Sequence, residues 1–142
     1  MGGDRDTRIK RLGVSGEDLA CRMLLDRGYE LLERNFRSGH KEVDIICRDG
    51  DDIRFVEVKA RKEPVEGEPW EAVTPAKQRR IGRVAAAYLS FLSAGGRPSL
   101  SDSALHFCPG ESHFDIVSIV WDRDGRYSRA EYIEDAYCLI FT

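Results

Sequence analysis

The chain predicts an α/β fold: a single domain built on a mixed β-sheet flanked by helices. Three observations lead there. A length of 142 residues with 42% apolar residues suits one compact domain with one core. Apolar residues recur at helical spacing in two well-separated stretches. Between and after these stretches lie short runs rich in β-branched and aromatic residues, each bounded by turn residues. The resulting order is helix, three strands, helix, then strands, which packs as helices on a sheet.

Residues 1–12 read as a flexible lead-in. Ser15 is placed to cap the first helix, expected over 15–27. Asp18 is its third residue, Leu19, Ala20, Met23 and Leu24 form its apolar stripe, and Gly28 stops it. Tyr29 to Phe36 reads as a strand, with a turn at Ser38-Gly39. A second strand runs from Glu42 to Cys47 and closes on the Asp49-Gly50-Asp51-Asp52 turn; a third covers Ile53 to Arg61. Residues 62–73, with two prolines, a glycine and four glutamates, read as a loop. Thr74-Pro75 opens the second helix, the cap residue being followed by proline at the first helical position. Ile81, Val84, Ala85, Tyr88, Leu89 and Leu92 form its stripe, and Gly95-Gly96 ends it. Beyond a linker near 97–103, Ala104 to Cys108 and Phe114 to Trp121 read as strands. A turn at Asp122-Arg123-Asp124-Gly125 leads to a last segment ending in Tyr137 to Phe141. There is no internal repeat and no low-complexity tract.

Composition narrows the function classes. No apolar h-region follows the charged start and no run of about 18 uncharged apolar residues occurs, so neither an export signal nor a membrane span is expected. Cys21, Cys47, Cys108 and Cys138 are far apart and lack C-x-x-C spacing, which reads as reduced, mostly buried thiols of a cytoplasmic protein. His40, His106 and His113 are equally scattered and read as surface or partly packed side chains rather than metal ligands. The net charge is −3, which does not announce a nucleic-acid binder. Its distribution is uneven: residues 1–98 hold 19 Lys or Arg against 17 Asp or Glu, while residues 99–142 hold 3 against 8. The basic groups gather in the part that carries the candidate site.

That site is a small set of charged residues on otherwise apolar strands. Side chains alternate along a strand, so Glu57 and Lys59 share one face with Phe55, while Val56, Val58 and Ala60 take the other. On the preceding strand Glu42, Asp44 and Ile46 share a face, and hairpin pairing can bring Asp44 near Glu57. Charges at such interior positions cost several kcal/mol unless they pair or bind a metal. A salt bridge from Lys59 would satisfy only one carboxylate, whereas Mg2+ or Mn2+ would satisfy both. Asp44, Glu57 and the backbone carbonyl of Val58 could supply oxygen ligands and Lys59 a cation. A hard metal, an activated water and a neighbouring cation are what phosphodiester hydrolysis requires.

The stretches Gly13-Val14-Ser15-Gly16-Glu17, Arg34-Asn35-Phe36-Arg37, Glu42-Val43-Asp44-Ile45-Ile46, Phe55-Val56-Glu57-Val58-Lys59-Ala60-Arg61, Lys77 and Phe114-Asp115 together resemble the PD-(D/E)xK nuclease superfamily. More narrowly, they resemble the uncharacterised bacterial YraN-type family of predicted endonucleases, akin to Holliday-junction resolvases. The E-x-K triplet alone is common on charged strands; the ordered set is the specific signal. The resemblance implies an αβββαβ restriction-endonuclease-like core and a magnesium- or manganese-dependent endonuclease acting on DNA, branched or structured DNA among its substrates. It implies Asp44 and Glu57 as metal ligands, Lys59 as catalytic lysine and Glu17 as a further acidic member, with Glu42 of second rank. It also implies a homodimer, since cutting both strands of a symmetric junction needs two sites. Lys41 stands where a glycine often precedes Glu42, and His113 where an arginine often precedes Phe114-Asp115.

Each assignment has a plainer counterpart. Asp44, Glu57 and Lys59 could form a buried ion-pair network, and Glu17 is favoured in a first helical turn by the helix dipole alone. Arg37, Lys41, Arg61, Lys77 and Arg80 read as a basic rim for nucleic-acid phosphates, with a solvated surface as the alternative. Trp70 could stack on a base or anchor its loop. The competing function class is a non-catalytic nucleic-acid-binding or adaptor module on the same fold, and a third is a protein-interaction role.

Overall fold

The computed structural model describes residues 15–102 and 109–139. The expected strand over 104–108, the lead-in over 1–12 and residues 140–142 lie outside the described residues, as do His106 and Cys108.

The order is α1 (Gly16–Asp26), β1 (Glu30–Ser38), β2 (Lys41–Asp49), β3 (Asp52–Lys62), a 3-10 turn (Pro69–Ala72), α2 (Pro75–Ser93), β4 (Ser112–Trp121) and β5 (Tyr127–Tyr137). The five strands form one mixed sheet in the order β1-β2-β3-β4-β5, parallel at β3/β4 and antiparallel elsewhere. Leaving aside the 3-10 turn, α1 through β4 make the αβββαβ core; β5 is added at the edge. The parallel junction follows from the chain path, because α2 carries it back across the sheet between β3 and β4.

Local sequence explains the helix starts. The Ser15 hydroxyl accepts from the Asp18 N–H while the Asp18 carboxylate accepts from the Ser15 N–H, a reciprocal cap worth about 1 kcal/mol. Thr74 caps α2 through the Lys77 N–H, with Pro75 at the first position. The loop expected over 62–73 has more structure than its composition suggests: β3 continues to Lys62, and Pro69–Ala72 makes its single turn. The last segment is also better formed than expected, an 11-residue strand paired to β4 along most of its length.

The sheet is apolar on both faces. Ile53, Phe55, Phe114 and Ile116 pack under Ile81, Val84, Ala85 and Tyr88 of α2. Val56, Val117 and Ile119 pack on the other face with Ala20, Cys21 and Leu24 of α1. The two helices therefore seal opposite faces, and each brings its N-terminal turn to the end of the sheet where β2 and β3 separate.

Buried polar residues are satisfied inside this frame. Arg54, paired with Asp49 at 3.0 Å and Asp115 at 3.2 Å, lies beside a fully buried Asp115 that also accepts from Tyr132 and the Asp135 N–H. Glu33 accepts from the Tyr88 hydroxyl and the Ser99 N–H, tying the linker after α2 to β1. Cys21 and Cys47 are buried free thiols as expected, whereas Cys138 is exposed. Among the described residues no helix is long and apolar enough to cross a membrane.

Candidate metal centre

β2 and β3 pair only from Ile45↔Val56 to Asp49↔Asp52, although both strands run further. Beyond Ile45 the ladder opens, leaving backbone groups of β3 without a strand partner on that side. Asp44 occupies this fork: its Oδ2 accepts the Val58 N–H at 2.8 Å, replacing the missing ladder bond. A residue's N–H and C=O leave a strand by the same edge, so the Val58 carbonyl opens into the same fork.

Glu57 projects beside Asp44 with its side chain only 10% exposed. Burial raises its carboxyl first, the Asp44 charge raises it further, and Lys77 opposes both; the outcome is a group pushed up to about 7. The two carboxyls share a hydrogen bond when Glu57 is protonated. Asp44 is itself raised, by burial first, against the opposing Val58 N–H. Two acids that disfavour each other's ionisation, in a partly dry fork, form a site short of positive charge.

Lys77, from the first turn of α2, is the nearest compensation, with Nζ 3.5 Å from Glu57 Oε2. The structure thus gives to Lys77 the ion pair that Lys59 could have made. Lys59 lies two residues beyond Glu57 on β3, half-buried, and makes no ion pair among the described residues. Strand alternation puts it on the face of Glu57.

Glu17 reaches the fork from α1. Its carboxyl is raised by burial and then by the Asp44 charge, which places the two acids within electrostatic reach. Asn35 stands between the Glu17 and Glu42 carboxylates; with its amide nitrogen turned toward these two acceptors it donates to Glu42 at 2.7 Å and Glu17 at 3.0 Å. Asn35 holds a left-handed φ of 53°, a conformation that asparagine tolerates better than most residues. Asn35 lies within the Arg34-Asn35-Phe36-Arg37 stretch, where no local sequence signal marks its role; that role follows only from the approach of α1 to β1 and β2.

Gly16 explains why α1 comes so close. A Cβ there would stand 3.4 Å from the Ala60 Cβ and 3.7 Å from both Val58 Cγ1 and Ile119 Cγ1, so any larger side chain would meet β3 and β4.

The basic residues are used unevenly. Arg37 is 73% exposed and pairs with Glu42 at 3.0 Å. Arg61 turns toward the following loop, donating to the carbonyls of Gly67 at 3.0 Å and Glu66 at 3.4 Å. Lys41 is half-buried at the start of β2, and Arg79, Arg80 and Arg83 lie on the exposed face of α2.

A second group of potential ligands stands elsewhere: Asp52, Glu111 and His113 each bring one donor atom within 4.8 Å of the others. These residues could hold a metal, and sequence spacing did not suggest it, because the hairpin tip meets the start of β4 only in the fold. Both ring nitrogens of His113 are already engaged, Nε2 with Asp52 at 2.8 Å and Nδ1 with Asp135 at 2.6 Å. A protonated imidazole between two carboxylates supplies its own cation. Among the described residues, the fork at Asp44 and Glu57 has one ion-paired cation, Lys77, for its two raised carboxyls, and so fits a metal better.

The profile of the uncharacterised protein family UPF0102 matches residues 16–119. A UPF0102 protein of Anaeromyxobacter dehalogenans (strain 2CP-C) is 41% identical over 128 residues, covering 88% of this chain and 93% of that protein. Another, of Geotalea daltonii (strain DSM 22248 / JCM 15807 / FRC-32), is 37% identical over 141 residues, covering 99% and 100%. A third, of Chlorobium chlorochromatii (strain CaD3), is 54% identical over a shorter stretch of 80 residues, 56% of this chain and 62% of that protein. The family match contains Glu17, Asp44, Glu57, Lys59 and Lys77.

Proposed function

The chain belongs to the uncharacterised protein family UPF0102, and from the fork between β2 and β3 we propose that it is a metal-dependent endonuclease of the PD-(D/E)xK superfamily, hydrolysing phosphodiester bonds in DNA. The carrying observation is the charge imbalance in the fork. Asp44 and Glu57 converge where burial raises both carboxyls, while Lys59 stands on the same face with no counter-ion among the described residues.

The donor set suits a hard cation. Asp44 keeps one oxygen beyond the one that accepts from Val58, Glu57 adds a carboxylate, and the Val58 carbonyl adds a neutral oxygen. These residues would hold Mg2+ or Mn2+, which supplies Lewis-acid polarisation of the phosphate and a water activated for attack. Lys59 would donate to a phosphate oxygen or to the attacking water, and its ammonium would offset charge that builds in the transition state. Glu17, with Asn35 beside it, would orient a proton acceptor at the rim. Arg37, Lys41, Arg61, Lys77 and Arg80 would hold the DNA backbone, and a homodimer would present two such forks to a branched substrate. A DNA substrate would place the protein in the cytoplasm.

The direct test is cleavage of duplex, single-stranded, flap and four-way DNA with Mn2+ by the wild type, Glu57→Ala and Lys59→Ala. Loss of about a hundredfold or more in both variants is expected; equal activity in all three removes the site from the chemistry.

One observation favours a second reading, a non-catalytic nucleic-acid-binding or adaptor module. Two of the five rim cations are already paired, Arg37 with Glu42 and Lys77 with Glu57, which weakens the rim's field. Salt-dependent DNA binding with no metal-stimulated cleavage of any substrate in the panel would select that reading.

A further inference from the structure

Next to the fork, on the face sealed by α2, lies a cavity of about 400 Å³ that the metal centre does not use. Its floor follows from the strand register: Arg61 stands opposite Val120, which stands opposite Arg129, while Ser118 lies between Lys59 and Glu131. Its wall is the loop after β3, ending at Pro69. Ser118 is therefore both the register partner of Lys59 and a lining residue, so the cavity begins beside the proposed catalytic lysine.

We propose that this cavity receives one unpaired nucleotide of the DNA strand that runs through the fork, making the protein selective for ends, flaps or gaps over continuous duplex. The inference rests on the nuclease reading for the strand's path but uses different residues. The volume lies in the range of small-ligand pockets and is too small for a duplex. Its chemistry is divided as a nucleotide's is. Arg61 offers a guanidinium whose Nε–H is buried without a partner, a donor that a phosphate or base oxygen would satisfy. Arg129 adds positive charge, already shared with Glu63 at 2.8 Å. Glu131 and Glu68 repel phosphate and accept from a base amino group, and Ser118 can donate or accept. Val120 and Pro69 give apolar surface for a ring.

Trp70 lies outside the cavity lining. It follows the wall residue Pro69, is 46% exposed and makes no ring contact among the described residues. An exposed aromatic next in the chain to the cavity wall offers a stacking surface to a neighbouring base of the same strand, and such stacking is sequence-tolerant.

The experiment is fluorescence anisotropy at low salt in EDTA, comparing a labelled duplex bearing a short single-stranded overhang with the same duplex made blunt. Wild type is expected to favour the overhang by about tenfold, and Arg61→Met, which removes the buried unpartnered donor of the cavity, to abolish that preference. Trp70→Ala should reduce the preference in the same sense while changing blunt-duplex affinity less than about twofold. Equal binding of the two DNAs by the wild type, or an unchanged preference in Arg61→Met, overturns the proposal. Because no metal is present, the outcome is independent of cleavage. An overhang preference without cleavage counts against the enzyme reading alone, and cleavage without a preference counts against the cavity alone.

Discussion

Lys77 Nζ stands 3.5 Å from Glu57 Oε2, joining the first turn of α2 to the most buried carboxyl of the fork. The lysine side chain is 41% exposed and Glu57 10%, so the pair is one-sided: Glu57 depends on Lys77 far more than the reverse. A metal entering the fork would compete with Lys77 for the same oxygens. Lys77→Met is therefore expected to tighten Mn2+ binding by about threefold to tenfold, as removal of a neighbouring like charge does. Isothermal titration reads this directly, and weaker Mn2+ binding would show that Lys77 supports the metal rather than opposing it.

Glu57 predicts a pH dependence of stability. Its folded value near 7 exceeds its ordinary 4.5, so between these values the folded state keeps a proton that the unfolded chain has lost. Stability then falls as pH rises from about 4.5 to 7, by up to about 3 kcal/mol. Glu57→Gln removes that slope. The metal-free variant should become more stable than wild type above pH 7 and should lose the gain in Tm that Mn2+ gives the wild type, a gain of several degrees at saturating metal. Urea melts across pH 4–8 with and without Mn2+ check both arms; parallel curves for the two proteins would exclude the strained acid pair.

Much of this fork was legible in the sequence, and what was not has one physical origin. The Ser15 and Thr74-Pro75 caps act within a single turn, and strand alternation depends only on local backbone geometry, so α1, α2 and the shared face of Glu57 and Lys59 could be read directly. Asp44 was expected near Glu57 from hairpin pairing, but not its bond to the Val58 N–H, which exists because the ladder stops at Ile45. Sequence alone places Lys77 in a basic rim, since its pairing with Glu57 depends on how α2 docks across the intervening loop. Arg61 likewise turns into its loop, and Asp52, Glu111 and His113 meet only through long-range packing. β5 reads from sequence only as a less certain last segment, because it has no fully buried position and its exposed Ser128, Arg129, Glu131, Glu134 and Asp135 blur the alternation.

His113 makes a prediction of opposite kind, away from the fork. Burial lowers its imidazole, but hydrogen bonds to Asp52 and Asp135 outweigh this and leave it raised above its ordinary 6.5. Its contribution is full below about pH 6.5 and is lost as pH rises through the raised folded value. His113→Gln should therefore cost about 1 kcal/mol at pH 6, discounted for the exposure of Asp135, and progressively less at alkaline pH. Denaturant midpoints of the two proteins at pH 6 and pH 9 measure the difference; a gap that does not shrink would mean that packing alone accounts for His113.

Gly16 separates the position of Glu17 from its charge. Gly16→Ala adds a Cβ at 3.4 Å from Ala60, an ordinary contact, and should leave stability within about 0.5 kcal/mol. Gly16→Val must push further into Val58, Ala60 and Ile119 and should cost about 1–3 kcal/mol as α1 moves off β3. That movement would also carry Glu17 away from Asn35 and Asp44, whereas Glu17→Gln keeps the helix in place and removes only the charge. If Glu17 acts through its charge in the fork, both Gly16→Val and Glu17→Gln lower metal-dependent turnover while Gly16→Ala does not, and only Gly16→Val lowers Tm. If Glu17 serves only the helix dipole, Glu17→Gln loses a few tenths of a kcal/mol of stability and keeps full turnover. Thermal melts paired with single-turnover rates on the preferred DNA decide between the two, because stability and turnover move together in one case and apart in the other.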